Sequence, residues 1–62
     1  MKHVEILIDD PGFRFRAGEI GHVLENTFEK YDYFVQLSPI IHLKNGIILR
    51  HFYFTKDEVK EL

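Results

Sequence analysis

The stretch Gly18-Glu19-Ile20-Gly21-His22-Val23-Leu24-Glu25 decides whether this chain contains a helix or is built from strands alone. Ile20, Val23 and Leu24, with Phe28 beyond them, recur at the spacing of a helical stripe. Gly18 and Gly21 would then fall in the first turns of that helix, each costing about 1 kcal/mol relative to Ala. A strand over Glu19 to Glu25 carries no such cost. In a strand, Gly21 marks a bulge or a close approach of neighbouring backbone. The strand is the better reading, and Asn26 to Lys30 becomes the turn that follows it.

Working outward, Lys2 to Ile8 alternates: Val4, Ile6 and Ile8 share one face, His3 and Glu5 the other, as in a half-buried strand. Asp9-Asp10-Pro11-Gly12 ends it with turn chemistry at every position. Phe13-Arg14-Phe15-Arg16 alternates again, as one arm of an extended loop or irregular hairpin. On the other side, Tyr31, Tyr33, Val35 and Leu37 alternate with Asp32, Phe34 and Gln36, and Ser38-Pro39 interrupts the strand. Lys44-Asn45-Gly46 signals a hairpin with φ > 0 at both Asn and Gly, so Ile40 to Leu43 pairs with Ile47 onward or packs as a loop. Gly46 to Phe54 is an almost continuous apolar run, as in a strand covered on both faces. Thr55-Lys56-Asp57-Glu58 has capping-box spacing, which predicts one 3-10 turn leading into a short last strand, Val59 to Leu62. Val4, Ile6, Ile8, Ile20, Val23, Val35, Leu37, Ile48 and Val59 supply the expected core.

The 62 residues suit one domain, 1–62. A chain this short buries only about 60% of its unfolded surface, so modest stability is expected. With no cysteine, neither disulfides nor thiolate metal sites can supply stability. The start has no apolar leader-like region, and no apolar run approaches the roughly 18 residues that would span a bilayer. A cytoplasmic protein that does not engage membranes is expected. The formal net charge of -2 argues against bulk electrostatic capture of nucleic acid, although Arg14, Arg16, Lys44 and Arg50 leave room for a local basic patch.

Arg16-Ala17-Gly18-Glu19-Ile20-Gly21-His22-Val23-Leu24-Glu25 resembles the Gly-x-x-Gly-x-Val core of KOW-type and related SH3-like barrels. The ending, Phe52 to Leu62, resembles their usual close of a strand, a 3-10 turn and a short final strand. The overall pattern is similar to small proteins of Gram-positive bacteria and their phages. The resemblance implies an all-β, five-stranded SH3-like barrel, with the second glycine allowing a sharp bend and Val23 pointing inward. Such barrels bind peptides, RNA, DNA or partner subunits. Nucleic-acid-binding KOW domains carry several basic residues near this loop, whereas here Glu19 and Glu25 flank the strand.

Motifs that carry chemistry are missing from the sequence. His3, His22, His42 and His51 are too widely spaced for a compact ligand motif, and Asp9-Asp10 before Pro-Gly reads as a turn cap. The lone serine, Ser38, sits beside Pro39 and not in a nucleophile elbow. Gly18-x-x-Gly21 lacks the length and the ending of a phosphate loop. No enzyme activity, metal or cofactor is implied.

The six Phe and three Tyr exceed what so small an interior needs. Some of Phe13, Phe15, Tyr31, Phe34, Phe52 and Tyr53 are therefore expected at the surface. Aromatics mixed with arginines favour protein interfaces. The candidate partner-binding residues are Phe13, Arg14, Phe15, Arg16, Tyr31, Tyr33, Arg50 and Tyr53. The competing structural reading has Phe13 and Phe15 tucking the loop onto the sheet. The leading expectation is a protein-binding adaptor or inhibitor, with a phage as one source, acting through this surface or an open sheet edge. The alternative is a KOW-like nucleic-acid-binding module, in which Arg14, Arg16, Lys44 and Arg50 meet phosphates and Phe13, Phe15 or Tyr53 stack on bases. Edge-to-edge pairing of Gly46 to Phe54 would give a weak homo-oligomer.

Overall fold

The computed structural model describes residues 2–62, with the side chains of residues 41 and 42 outside that description. Five strands form: β1 (His3–Ile6), β2 (Ile20–Leu24), β3 (Tyr33–His42), β4 (Gly46–Phe54) and β5 (Val59–Glu61), with a 3-10 turn at Lys56–Glu58 before the last. They make one antiparallel sheet in the order β4-β3-β2-β1-β5. The glycine-bearing stretch is thus a strand, and Gly21 is there for close approach. A Cβ on it would lie 2.5 Å from Val35 Cγ1 and 2.8 Å from the Gln36 carbonyl oxygen.

The sheet is not closed into the expected barrel; β4 and β5 are its two edges. Closure would need a ladder between them, but β5 offers only three residues and pairs with β1. The distal half of β4 pairs only with β3, beyond a register shift between Leu37 and Ile40. That shift falls at Ser38-Pro39, where proline lacks an N–H for the ladder. The expected interruption is therefore a bulge within a ten-residue strand. The ribbon beyond it lengthens the molecule to 35 × 22 × 21 Å. The turn at its tip spans Leu43-Lys44-Asn45 between the paired residues 42 and 46. Only Gly46 takes a positive φ, at 80°, giving the three-residue form in place of the two-residue turn expected from Asn-Gly.

The core comprises Val4, Ile6, Phe15, Val35, Leu37, Phe54 and Val59, with Ile8, Val23, Tyr33 and Phe52 packed against it. Two expected core members are exposed, Ile20 and Ile48. Gly21 and Val23 take the inward positions of β2, so Ile20 and His22 turn outward. Ile48 lies beyond the bulge, where no second layer reaches. Gly46 to Leu49 is exposed throughout and not covered on both faces. The 3-10 turn closes as its sequence suggests: the Glu58 carboxylate accepts the Thr55 N–H at 2.8 Å and the Glu58 N–H donates to the Thr55 carbonyl at 3.0 Å.

Candidate functional site

The loop between β1 and β2 is held down by its own polar residues and by one ring. Asp10 is buried; its carboxylate accepts the Arg14 main-chain N–H at 2.9 Å, Arg14 Nε at 2.7 Å and Arg14 Nη2 at 3.3 Å. The Phe13 N–H donates to the Asp10 carbonyl at 2.9 Å. Asp9 Oδ1 accepts the Ala17 N–H at 2.9 Å. Both aspartates therefore cap the turn. Phe15 is only 7% exposed, its ring centroid 5.1 Å from those of Phe52 and Phe54. Phe13, two residues earlier, is 83% exposed at φ 61°. Of the two readings of this loop, tucking holds for Phe15 and exposure for Phe13.

The Arg14 hydrogen bonds, side chain first and main chain second, hold the Asp10 carboxyl at about 2 against an ordinary 3.8. A depressed carboxyl adds stability above its unfolded value and loses it as pH falls through the folded value. The urea midpoint is therefore expected to fall between about pH 4 and pH 2. Glu19 and Glu61, both also held below the usual carboxylate range, add to the fall. Asp10→Asn should flatten that dependence in urea titrations across the window.

Arg50 ties the loop to the sheet. Its Nη2 and Nη1 donate to the two oxygens of Glu19 at 2.8 and 3.3 Å, its Nη1 to the Arg14 carbonyl at 3.0 Å, and its Nε to the Ser38 carbonyl at 2.8 Å. The Arg50 side chain is only 14% exposed, so it staples three segments and offers little to a partner.

A groove of about 480 Å3 runs between this loop and β4. Asp10, Arg14 and Phe15 line it from the loop, Tyr31 and Tyr53 from the other side, and β4 contributes His51 to Phe54. Arg14 is fixed by Asp10 and lies 5.2 Å from the centroid of the Phe52 ring. Beside the groove, Phe28, Tyr31 and Tyr53 pack with centroids 5.3–5.5 Å apart. Phe34 stacks on Tyr53 at 4.6 Å, and His51 lies 5.7 Å from Phe34. An Asn26 turn presents Phe28: Asn26 Oδ1 accepts the Phe28 N–H at 2.9 Å and Asn26 Nδ2 donates to the Tyr31 carbonyl at 2.6 Å.

Of the eight sequence candidates, Arg14, Phe15, Tyr31 and Tyr53 meet in this groove. Phe13, Arg16 and Arg50 line a second, smaller one with Arg14, Phe15, Glu19 and Ile40. Tyr33 joins neither; its hydroxyl donates to Glu61 Oε1 at 2.7 Å, an oxygen that also accepts Lys2 Nζ at 2.9 Å. The loop thus flanks β4 and Tyr31, not Tyr33. Phe28 and His51 escaped the sequence reading: Phe28 stood out only in the helical spacing that the two glycines argue against, and His51 hid in an apolar run. Phe34 had a signal, as the one break in the polar face of its strand.

Among the described residues no group of three or more His, Asp or Glu could hold a metal, and no helix is long and apolar enough to cross a membrane. His3 and His22 pack edge to face at 6.1 Å, and His22 Nε2 lies 3.0 Å from Gln36 Oε1. The side chain of His42 is outside the described residues. No family model matches this chain, and no curated protein or solved structure shows significant similarity to it.

Proposed function

We propose that this chain is a non-catalytic protein-binding module of the SH3-like kind in open form, taking an extended segment of its partner along the free edge of β4. The observation that carries this reading is the alternation on β4. Ile47, Leu49, His51 and Tyr53 make an exposed stripe on an unpaired edge strand, and His51 and Tyr53 bring that stripe to the groove, where the partner segment pairs. An edge supplies main-chain hydrogen bonds to an incoming strand, and flanking pockets read its alternate side chains. The groove beside His51 to Phe54 supplies such a pocket, walled by Tyr31, Tyr53 and a fixed Arg14. Rigid aromatics beside a pre-positioned arginine have the composition of interface hot spots. The five-stranded antiparallel order and the 3-10 turn before β5 support the SH3-like kinship.

Charge pairing favours a protein over a nucleic acid as the partner. Arg14 is bonded to Asp10 and Arg50 to Glu19, which removes two of the four cations that the KOW-like alternative would place on phosphates. Affinity capture from lysate of the source organism tests the reading, using wild type and Tyr53→Ser side by side. Proteins retained by wild type and lost with Tyr53→Ser are expected. Recovery of nucleic acid alone would overturn the reading in favour of the KOW-like one.

Phe13 offers a second probe. Its left-handed backbone costs about 1–2 kcal/mol in a residue with a Cβ, whereas glycine costs about 0.5–1 kcal/mol of chain entropy. Phe13→Gly should therefore raise stability by about 0.5 kcal/mol, or a few degrees in thermal melts. A loss of stability would mean that the Phe13 ring packs more than its exposure indicates.

A further inference from the structure

The two edges of the sheet are built differently. β5 is three residues long with Lys60 and Glu61 exposed, a short charged edge of the sort that resists pairing. β4 is nine residues long, contains no proline, and carries no charge from Gly46 to Leu49. Arg50 follows, but its guanidinium is turned to Glu19. A long, uncharged apolar edge is a template for another strand, and this one lies distal to the groove.

We propose that the distal half of β4 pairs with β4 of a second copy, antiparallel about a two-fold axis through Ile48. The geometry is restrictive. Residues directly opposed in an antiparallel ladder point to the same face. A strand pairing with its own copy therefore places the axis through a residue, never between two. An axis at Arg50 opposes two guanidinium-bearing residues, and an axis at Leu49 sets Arg50 against Ile48. An axis at Ile48 sets Ile47 against Leu49 of the second copy and Gly46 against Arg50, and no like charges meet.

Pairing in this register sets Ile47 and Leu49 against their counterparts on one face and Ile48 against its own copy on the other. These three side chains are 44–63% exposed. They offer on the order of 300 Å2 per copy, against about 800 Å2 per partner in a standard interface. A patch well under the standard size makes the dimer weak and reversible. The net charge of -2 adds little repulsion. The ladder ends at Arg50, so the edge of His51 to Phe54 stays free for the partner segment. The dimer and the groove thus stand or fall separately.

Sedimentation equilibrium from about 10 μM to about 1 mM tests the dimer. Wild type should rise from 7.4 kDa toward twice that mass. Ile48→Lys and Ile48→Glu should each stay monomeric, with circular dichroism confirming that both fold. An equimolar mixture of the two should dimerise, because the axis sets the new lysine against the new glutamate. As a second route, Ile47→Lys/Leu49→Glu in one chain should still dimerise, whereas Ile47→Lys/Leu49→Lys should not. Wild type at monomer mass at the highest concentration overturns the dimer. An Ile48→Lys variant that associates as wild type does, or a mixture that stays monomeric, overturns the Ile48 axis. Capture of a protein through Tyr53 by a strictly monomeric wild type would overturn the dimer and leave the groove reading intact.

Discussion

Gly21→Ala is expected to cost about 3 kcal/mol, the upper end for adding a methyl to a packed core. The added Cβ would meet Val35 Cγ1 at 2.5 Å, the Gln36 carbonyl oxygen at 2.8 Å and Leu37 Cδ2 at 2.8 Å. Side chains such as Val35 and Leu37 can shift by rotamer changes. The Gln36 carbonyl belongs to the β3 backbone, which is bound to β2 and β4 on its two sides. Relief therefore requires the centre of the sheet to separate. At about 0.05–0.15 kcal/mol per residue, this chain holds roughly 3–9 kcal/mol in all. Gly21→Ala should leave it marginal and Gly21→Val should unfold it. Urea titration followed by far-ultraviolet circular dichroism measures the loss. A cost below about 1 kcal/mol would show that β2 does not lie this close to β3.

Phe15→Ala should cost about 3–4 kcal/mol, as for other buried phenylalanines. The ring sits between Phe52 and Phe54 and is the one core member supplied by the loop. Its loss opens a cavity over β4 and frees the loop that walls the groove. Phe13→Ala, two residues away, should change stability by under about 1 kcal/mol. Thermal melts of the pair separate the two roles. Equal losses would mean that both rings hold the loop down.

The strands were legible where local chemistry acts alone. Period-two alternation marked β1 and the first half of β3, the glycine cost in a helix decided β2, and Thr55-x-x-Glu58 announced the 3-10 turn. What failed depended on tertiary placement. The apolar run of β4 looks the same whether a layer covers it or solvent does, so Ile48 read as core. Proline at position 39 stops a ladder locally, yet a bulge let the strand resume. Ile20 and Val23 cannot share a strand face, and Gly21 took the inward position between them. Closure of the sheet depends on how far β5 runs, which three residues of Val-Lys-Glu do not announce.

The candidate site was half legible. Aromatics and arginines in excess of the core marked the surface, and Arg14, Tyr31 and Tyr53 do share a groove. The sequence could not separate Phe13 from Phe15, because both stand in the same alternating tetrapeptide and only the Asp10 turn settles which ring goes inward. Nor could it show that Arg50 is spent on Glu19, a partner 31 positions away.

The binding edge is tested most directly by selecting random extended peptides against the protein and mapping the winners by amide chemical shifts. Shifts and slowed hydrogen exchange should concentrate on His51 to Phe54 and on Asp10 to Phe15. Tyr53→Ser should abolish the enrichment. Peptides that instead perturb β5, or that enrich equally on Tyr53→Ser, would contradict recognition along the edge of β4.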